Sequence, residues 1–78
     1  MTPEAALLLE IEALLKIFLE SGTGKKGLAD KLMAAYDTSM DMDAPQQKEL
    51  RGLAEQCNKI DDKKIQHACK KILRDVPA

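Results

Sequence analysis

Lys59-Ile60-Asp61-Asp62-Lys63-Lys64-Ile65-Gln66-His67-Ala68-Cys69-Lys70-Lys71-Ile72-Leu73-Arg74 carries the clearest helical period in the chain. At about 100° per residue, Lys63, Lys64, His67, Lys70, Lys71 and Arg74 fall within an arc of about 120°. Ile65, Ala68, Cys69, Ile72 and Val76 occupy the opposite side. A helix divided in this way packs on its apolar side and can meet an anionic partner on the other. The apolar phase slips just before it. Leu53, Cys57 and Ile60 set the next contacts at 64 and 67, which are Lys and His. A break near 58–62 accounts for that slip; one continuous helix is the alternative.

Working outward, a helix over 62–75 takes Asp61 as its cap, with Ile60 and Ile65 at the spacing of a hydrophobic staple. The preceding helix, 44–58, has a fuller start signal. Asp43 can cap, Gln46 completes a capping box, and Pro45 is tolerated in the first turn. Leu50, Leu53, Ala54 and Cys57 form its apolar face, and Asn58 is a candidate left-handed stop. A helix over 25–40 aligns Leu28, Leu32, Ala35, Tyr36 and Met40, although Gly24 and Gly27 weaken its first turn. The first helix, 3–20, has Thr2 as cap, Pro3 at its first position and Glu4 in its first turn. Leu7, Leu8, Ile11, Leu14, Leu15 and Phe18 form its core face, and Ser21-Gly22 ends it. Period-two alternation, internal repeats and low-complexity tracts are missing. The expectation is an all-α compact bundle of four short helices in one domain, residues 1–78.

Composition agrees with a small globular domain: 45% hydrophobic, 32% charged, net charge −1. Aromatic residues are only 3%, so Leu, Ile, Ala and Met must build the core. A core of this size supplies only a few kcal/mol of net stability. The small net charge hides an asymmetry: residues 1–20 sum to −3 and residues 59–78 to +3. The first residues lack the cationic region of a signal peptide, and Ala5–Leu9, the longest apolar run, is far too short to span a bilayer. With only two cysteines and no export signal, the expected setting is a reducing cytoplasm, without membrane insertion.

Helix 1 is too apolar for its size. Of the fifteen residues from Ala5 to Leu19, twelve are Leu, Ile, Phe or Ala. A helix apolar nearly all round is buried on more than one side, which a 78-residue monomer cannot easily arrange. Leu8, Leu9, Ile17 and Leu19 are therefore the expected self-association residues, and a dimer is the favoured assembly. Burial of helix 1 at the centre of the bundle is the plainer alternative.

Residues 53–73 resemble a helix-turn-helix. The resemblance lies in Ala54 in the first helix, Asn58 and Ile60 in the turn, and Ile65 and Ala68 in the second helix. It implies that Asp62, Lys63, Gln66, His67 and Lys70 face a major groove while Lys64, Lys71 and Arg74 reach phosphates. The spacing from Ala54 to Ile60 is one residue longer than such motifs use. Asp61-Asp62 would set negative charge near the backbone, and a pI near 5.8 lacks the usual footprint of a DNA binder.

Other motif matches are weaker. Ser21-Gly22-Thr23-Gly24-Lys25-Lys26-Gly27 looks like the end of a phosphate-binding loop, but Leu19 and Lys26 stand where that pattern needs Gly and Ser or Thr. It reads as a flexible link with solvated lysines. Asp37, Ser39, Asp41 and Asp43 have the spacing of the first calcium ligands, yet Met42 replaces the turn Gly and Lys48 the bidentate Glu. Cys57, His67 and Cys69 match no zinc spacing. Cys57 and Cys69 lie at unequal distances from the turn, which argues against a disulfide, and both read as small apolar core residues. With a single His and no nucleophile–base pair, no catalytic residue, metal site or cofactor is expected.

The leading expectation is a small intracellular regulator or adaptor, not an enzyme. It would bind an acidic protein through Lys63, Lys64, His67, Lys70, Lys71 and Arg74 and self-associate through helix 1. The alternative is a helix-turn-helix DNA-binding regulator, with nucleic acid as partner.

Overall fold

Each helix start in the computed structural model, which describes residues 1–78, is fixed by local chemistry. α1 (Pro3–Ser21) begins where the Thr2 hydroxyl accepts the Ala5 N–H at 3.2 Å. It ends at Gly22, whose φ of 73° lets its N–H turn back to the Phe18 carbonyl. Gly24, at φ 91°, makes the second left-handed step, and α2 (Lys25–Asp37) starts at once. Two such positions within three residues are a demand that glycine meets without steric cost. α3 (Ala44–Cys57) carries the expected capping box: Asp43 accepts the Gln46 N–H at 2.9 Å, and the Gln46 side chain accepts the Asp43 N–H at 3.1 Å. α4 (Lys63–Asp75) follows a five-residue connection.

Three boundary expectations are corrected. α2 stops at Asp37, three residues short of Met40, and Ser39–Asp41 form a separate 3-10 turn. That turn carries Met40 outward, 64% exposed, and brings Met42 into the core at 5%. The Ser39 hydroxyl stabilises the change of direction by donating to the Tyr36 carbonyl, while the Gln47 amide donates to the Ser39 carbonyl. Asn58 is not left-handed. Its φ of −64° continues the right-handed coil, and the chain leaves α3 through further short-range turns to Lys59 and Ile60. The cap of α4 is Asp62, not Asp61: its carboxylate accepts the Ile65 N–H at 3.0 Å. Ile60 and Ile65 are still both buried, but one position away from the register of a staple built on Asp61.

The bundle is all α, and its helices close a ring. α1 packs against α2 and α3, and α4 packs against α2 and α3. Leu8, Ile11 and Leu15 from α1 meet Leu28, Ala29, Leu32 and Ala35 from α2. Leu50, Leu53, Ala54 and Cys57 from α3, and Ile65, Ala68, Cys69, Ile72 and Val76 at the end of the chain, complete one core. A radius of gyration of 11.2 Å matches dense packing for this length. Arg51 of α3 secures the far end of α4, donating to the Leu73 and Val76 carbonyls at 2.8 and 2.9 Å. These are the unsatisfied carbonyls that every helix leaves at its C-terminus. No helix is long and apolar enough to cross a membrane.

Candidate functional site

The basic face of α4 stands on a fully anchored helix. Ile65, Ala68, Cys69 and Ile72 have no exposed surface, so rotation of α4 about its axis would strip the core. Their burial fixes where the cations point. Lys63, Lys64, His67, Lys70 and Arg74 are exposed, and Lys71 is half-buried.

The six do not act as one stripe. At the C-terminal end, Arg74 is neutralised by its neighbour. Its Nε and Nη2 donate to Asp75 at 2.7 and 2.9 Å. The Tyr36 hydroxyl of α2 donates to the same carboxylate. Arg74, and then the Tyr36 hydroxyl, hold Asp75 below the usual carboxylate range. The bond to Asp75 raises Tyr36 above its ordinary phenol value, and the same carboxylate raises Arg74. Lys71 lies 5.4 Å above the Tyr36 ring. This end of the stripe is an internal clasp between α2 and α4.

At the N-terminal end the cations gain company instead. Lys63, Lys64 and His67 border a shallow hollow with Ala29, Asp30 and Met33 of α2. Beside it, Lys25 and Lys26 line a second hollow with Asp62, Lys63 and Lys64. Four lysines from two helix starts therefore gather at one corner, against Asp30 and Asp62. The Asp62 carboxylate is engaged in capping α4. The start of α2 has no side-chain cap, so its first N–H groups add partial positive charge to this corner. The comparison with a phosphate-binding loop read Lys25 and Lys26 as part of a flexible link; both are exposed, but in the first turn of α2, where the period over 25–40 put them. Only the contact between α2 and α4 brings the two pairs together.

The expected self-association residues divide. Leu8 is 3% exposed and belongs to the protomer core, so it is not available to a partner. Leu9 and Ile17 are 50% and 48% exposed on the outer face of α1. Leu19, at 71%, lies about 160° round the helix from Ile17. It borders a hollow between α1 and α3 with Leu15, Phe18, Gln56, Lys59, Ile60 and Asp61.

Two further pairs of titratable groups lie away from the basic face. The thiols of Cys57 and Cys69 meet inside the α3–α4 contact, both fully buried and free. The shared hydrogen bond and burial push Cys69 up. Unequal distance from the turn does not keep them apart, because packed helices meet through facing side chains, not through strand-like register. Their environment is the apolar core, and His67 points away from them into solvent. On the surface, burial and a bond with Glu12 of α1 raise Glu49 of α3. No group of three or more His, Cys, Asp or Glu side chains converges on a common point.

No protein-family model matches the chain, nor does any curated protein or solved structure.

Proposed function

We propose that this chain is a small intracellular regulatory or adaptor protein that self-associates through α1 and binds an acidic protein partner through the basic face of α4. The observation that carries this reading is the corner formed by Lys63, Lys64 and His67 with Lys25 and Lys26. Its cations rise from two packed helices, so binding needs little ordering of the backbone. Opposite-charge patches of this kind steer encounter and select partners more than they supply affinity. The reading is one of binding and not of catalysis.

The helix-turn-helix alternative uses the same cations on DNA. The connection from α3 to α4 is five residues, against the three or four of such motifs. Asp61 and Asp62 stand at the start of the helix that would enter the groove. Both features favour a protein partner.

The test compares a labelled poly-glutamate peptide with a labelled DNA duplex in fluorescence anisotropy at low salt. The expected result is salt-sensitive binding of the peptide, lost in the Lys63→Glu/Lys64→Glu double variant, with weaker binding of the duplex. Tighter binding of the duplex would transfer the site to nucleic acid. Capture from a host extract with and without nuclease then separates the two in a natural setting.

A further inference from the structure

The core holds one pair of nucleophiles. Cys57 closes α3, Cys69 sits midway along α4, and neither has any exposed surface. Every other member of the 18-residue core is Ala, Val, Leu, Ile or Met, so the two thiols of the chain lie in the same apolar interior. They also touch: the Cys69 thiol and the Cys57 sulfur share a hydrogen bond across the α3–α4 contact. Sulfurs already in contact between two packed helices need only a small movement to reach the Cβ separation of a disulfide, about 3.5–4.5 Å.

We propose that Cys57 and Cys69 are a reversible redox pair, closed to an internal disulfide by a small-molecule disulfide of the glutathione type. The closing step is two exchanges. One cysteine, having lost its proton to solvent, attacks a glutathione sulfur, so the glutathione S–S bond breaks and one glutathione thiol leaves. The second cysteine, deprotonated in turn, attacks the first, and the other glutathione thiol leaves. The protein loses two hydrogens and two electrons, and the oxidant gains both.

The surroundings suit that product. A disulfide is neutral and apolar, so it enters the core without the cost of burying a charge. Only eleven residues, 58–68, lie inside the loop that it closes. A cross-link of this length removes freedom from the unfolded chain and raises the folding equilibrium constant by about tenfold or more. By the same thermodynamic cycle the fold favours closure of the disulfide by an equal factor. In a reducing compartment the pair stands open, and it closes as oxidant accumulates. The two sulfurs lie on the side of α4 away from its cations, so the proposal does not depend on what binds the basic face.

The test refolds the full chain from urea in buffers of varied ratio of oxidised to reduced glutathione, so that burial of the thiols does not limit exchange. Acid quenching and intact mass then separate the dithiol, the glutathione adducts and the internal disulfide, which has lost two hydrogens. A parallel series is kept in urea throughout. Under native conditions the internal disulfide should be half formed at a glutathione poise about tenfold or more less oxidising than in urea. The oxidised chain should also show a higher urea midpoint than the reduced chain. Cys69→Ala, which retains one thiol, should give only adducts or linked dimers.

A disulfide that forms no more readily in the folded chain than in urea overturns the proposal. So does a native chain that yields only glutathione adducts, or an oxidised chain whose urea midpoint falls below that of the reduced form. Either of these would leave the two cysteines as packing residues alone.

Discussion

α4 buries Ile65, Ala68, Cys69 and Ile72 completely and turns its cations to solvent, whereas the longer α1 buries only Leu8, Ile11 and Leu15, and only Ile11 completely. α1 leaves Leu9, Ile17 and Leu19 about half exposed or more. The two helices stand at opposite corners of the same ring, and they differ in how far the monomer satisfies them. Every apolar group of α4 has a partner inside the fold, so its outer face is a purely electrostatic surface. α1 has more apolar surface than one small core can cover. The difference teaches that the two surfaces have different chemistry available: charge recognition at α4 and apolar contact at α1.

The largest expected effect tests the core side of that comparison. Ile72→Ala should cost about 2–5 kcal/mol, enough to unfold much of a domain this small. Ile17→Ala should stay within about 0.5 kcal/mol in dilute solution, where α1 is solvated. Equal costs in urea denaturation would erase the distinction between the helices.

A smaller loss is expected at the start of α4. Asp62→Ala removes the cap and should cost about 1 kcal/mol, while Asp61→Ala should change stability by less than about 0.5 kcal/mol. The reverse order in thermal melts would return the cap to Asp61.

The clasp at the other end of α4 predicts a modest pH dependence, since all its groups are open to solvent and screened. Asp75 titrates lower in the folded chain than in the unfolded one. Its pairing therefore stabilises above about pH 4 and is lost as pH falls further. Tyr36 titrates higher when folded, so its contribution is full below about pH 10 and is lost as pH rises through the folded value. Asp75→Asn should flatten both limbs of the melting temperature against pH. Unchanged limbs would mean that the clasp contributes nothing.

The smallest stability effect belongs to the basic corner. Lys63→Glu/Lys64→Glu should leave the urea midpoint unchanged or slightly raised, because acidic residues suit the first turn of a helix. A marked loss of stability would show that the lysines serve the fold, not a ligand.

The residues that were legible in the sequence carry short-range instructions. Thr2 and the Asp43–Gln46 pair announced their helices because a cap and the N–H it accepts lie three residues apart. The apolar period of α3 named all of its buried residues, Leu50, Leu53, Ala54 and Cys57. Met40 is exposed and Met42 is buried because a 3-10 turn breaks the period that made Met40 look like core. Asp61 and Asp62 are chemically equal as caps, and only the path of the chain out of α3 chooses between them. The basic corner was half legible. Lys63, Lys64 and His67 follow from the α4 period, but Lys25 and Lys26 join them across the α2–α4 contact, where no periodicity reaches.

The order of helices around the ring sets how the chain can assemble. α1 and α2 are neighbours in sequence and in space, and so are α3 and α4. Each pair is a helical hairpin whose contacts close over short loops, a topology that favours rapid folding. The two hairpins then join through the α1–α3 and α2–α4 faces. During synthesis the first hairpin emerges with the inner sides of Leu28 and Leu32 uncovered, and Ile65 and Ile72 come last. The helix that carries the cationic face is thus also the one that seals the core, so that face takes up its position only as the core closes.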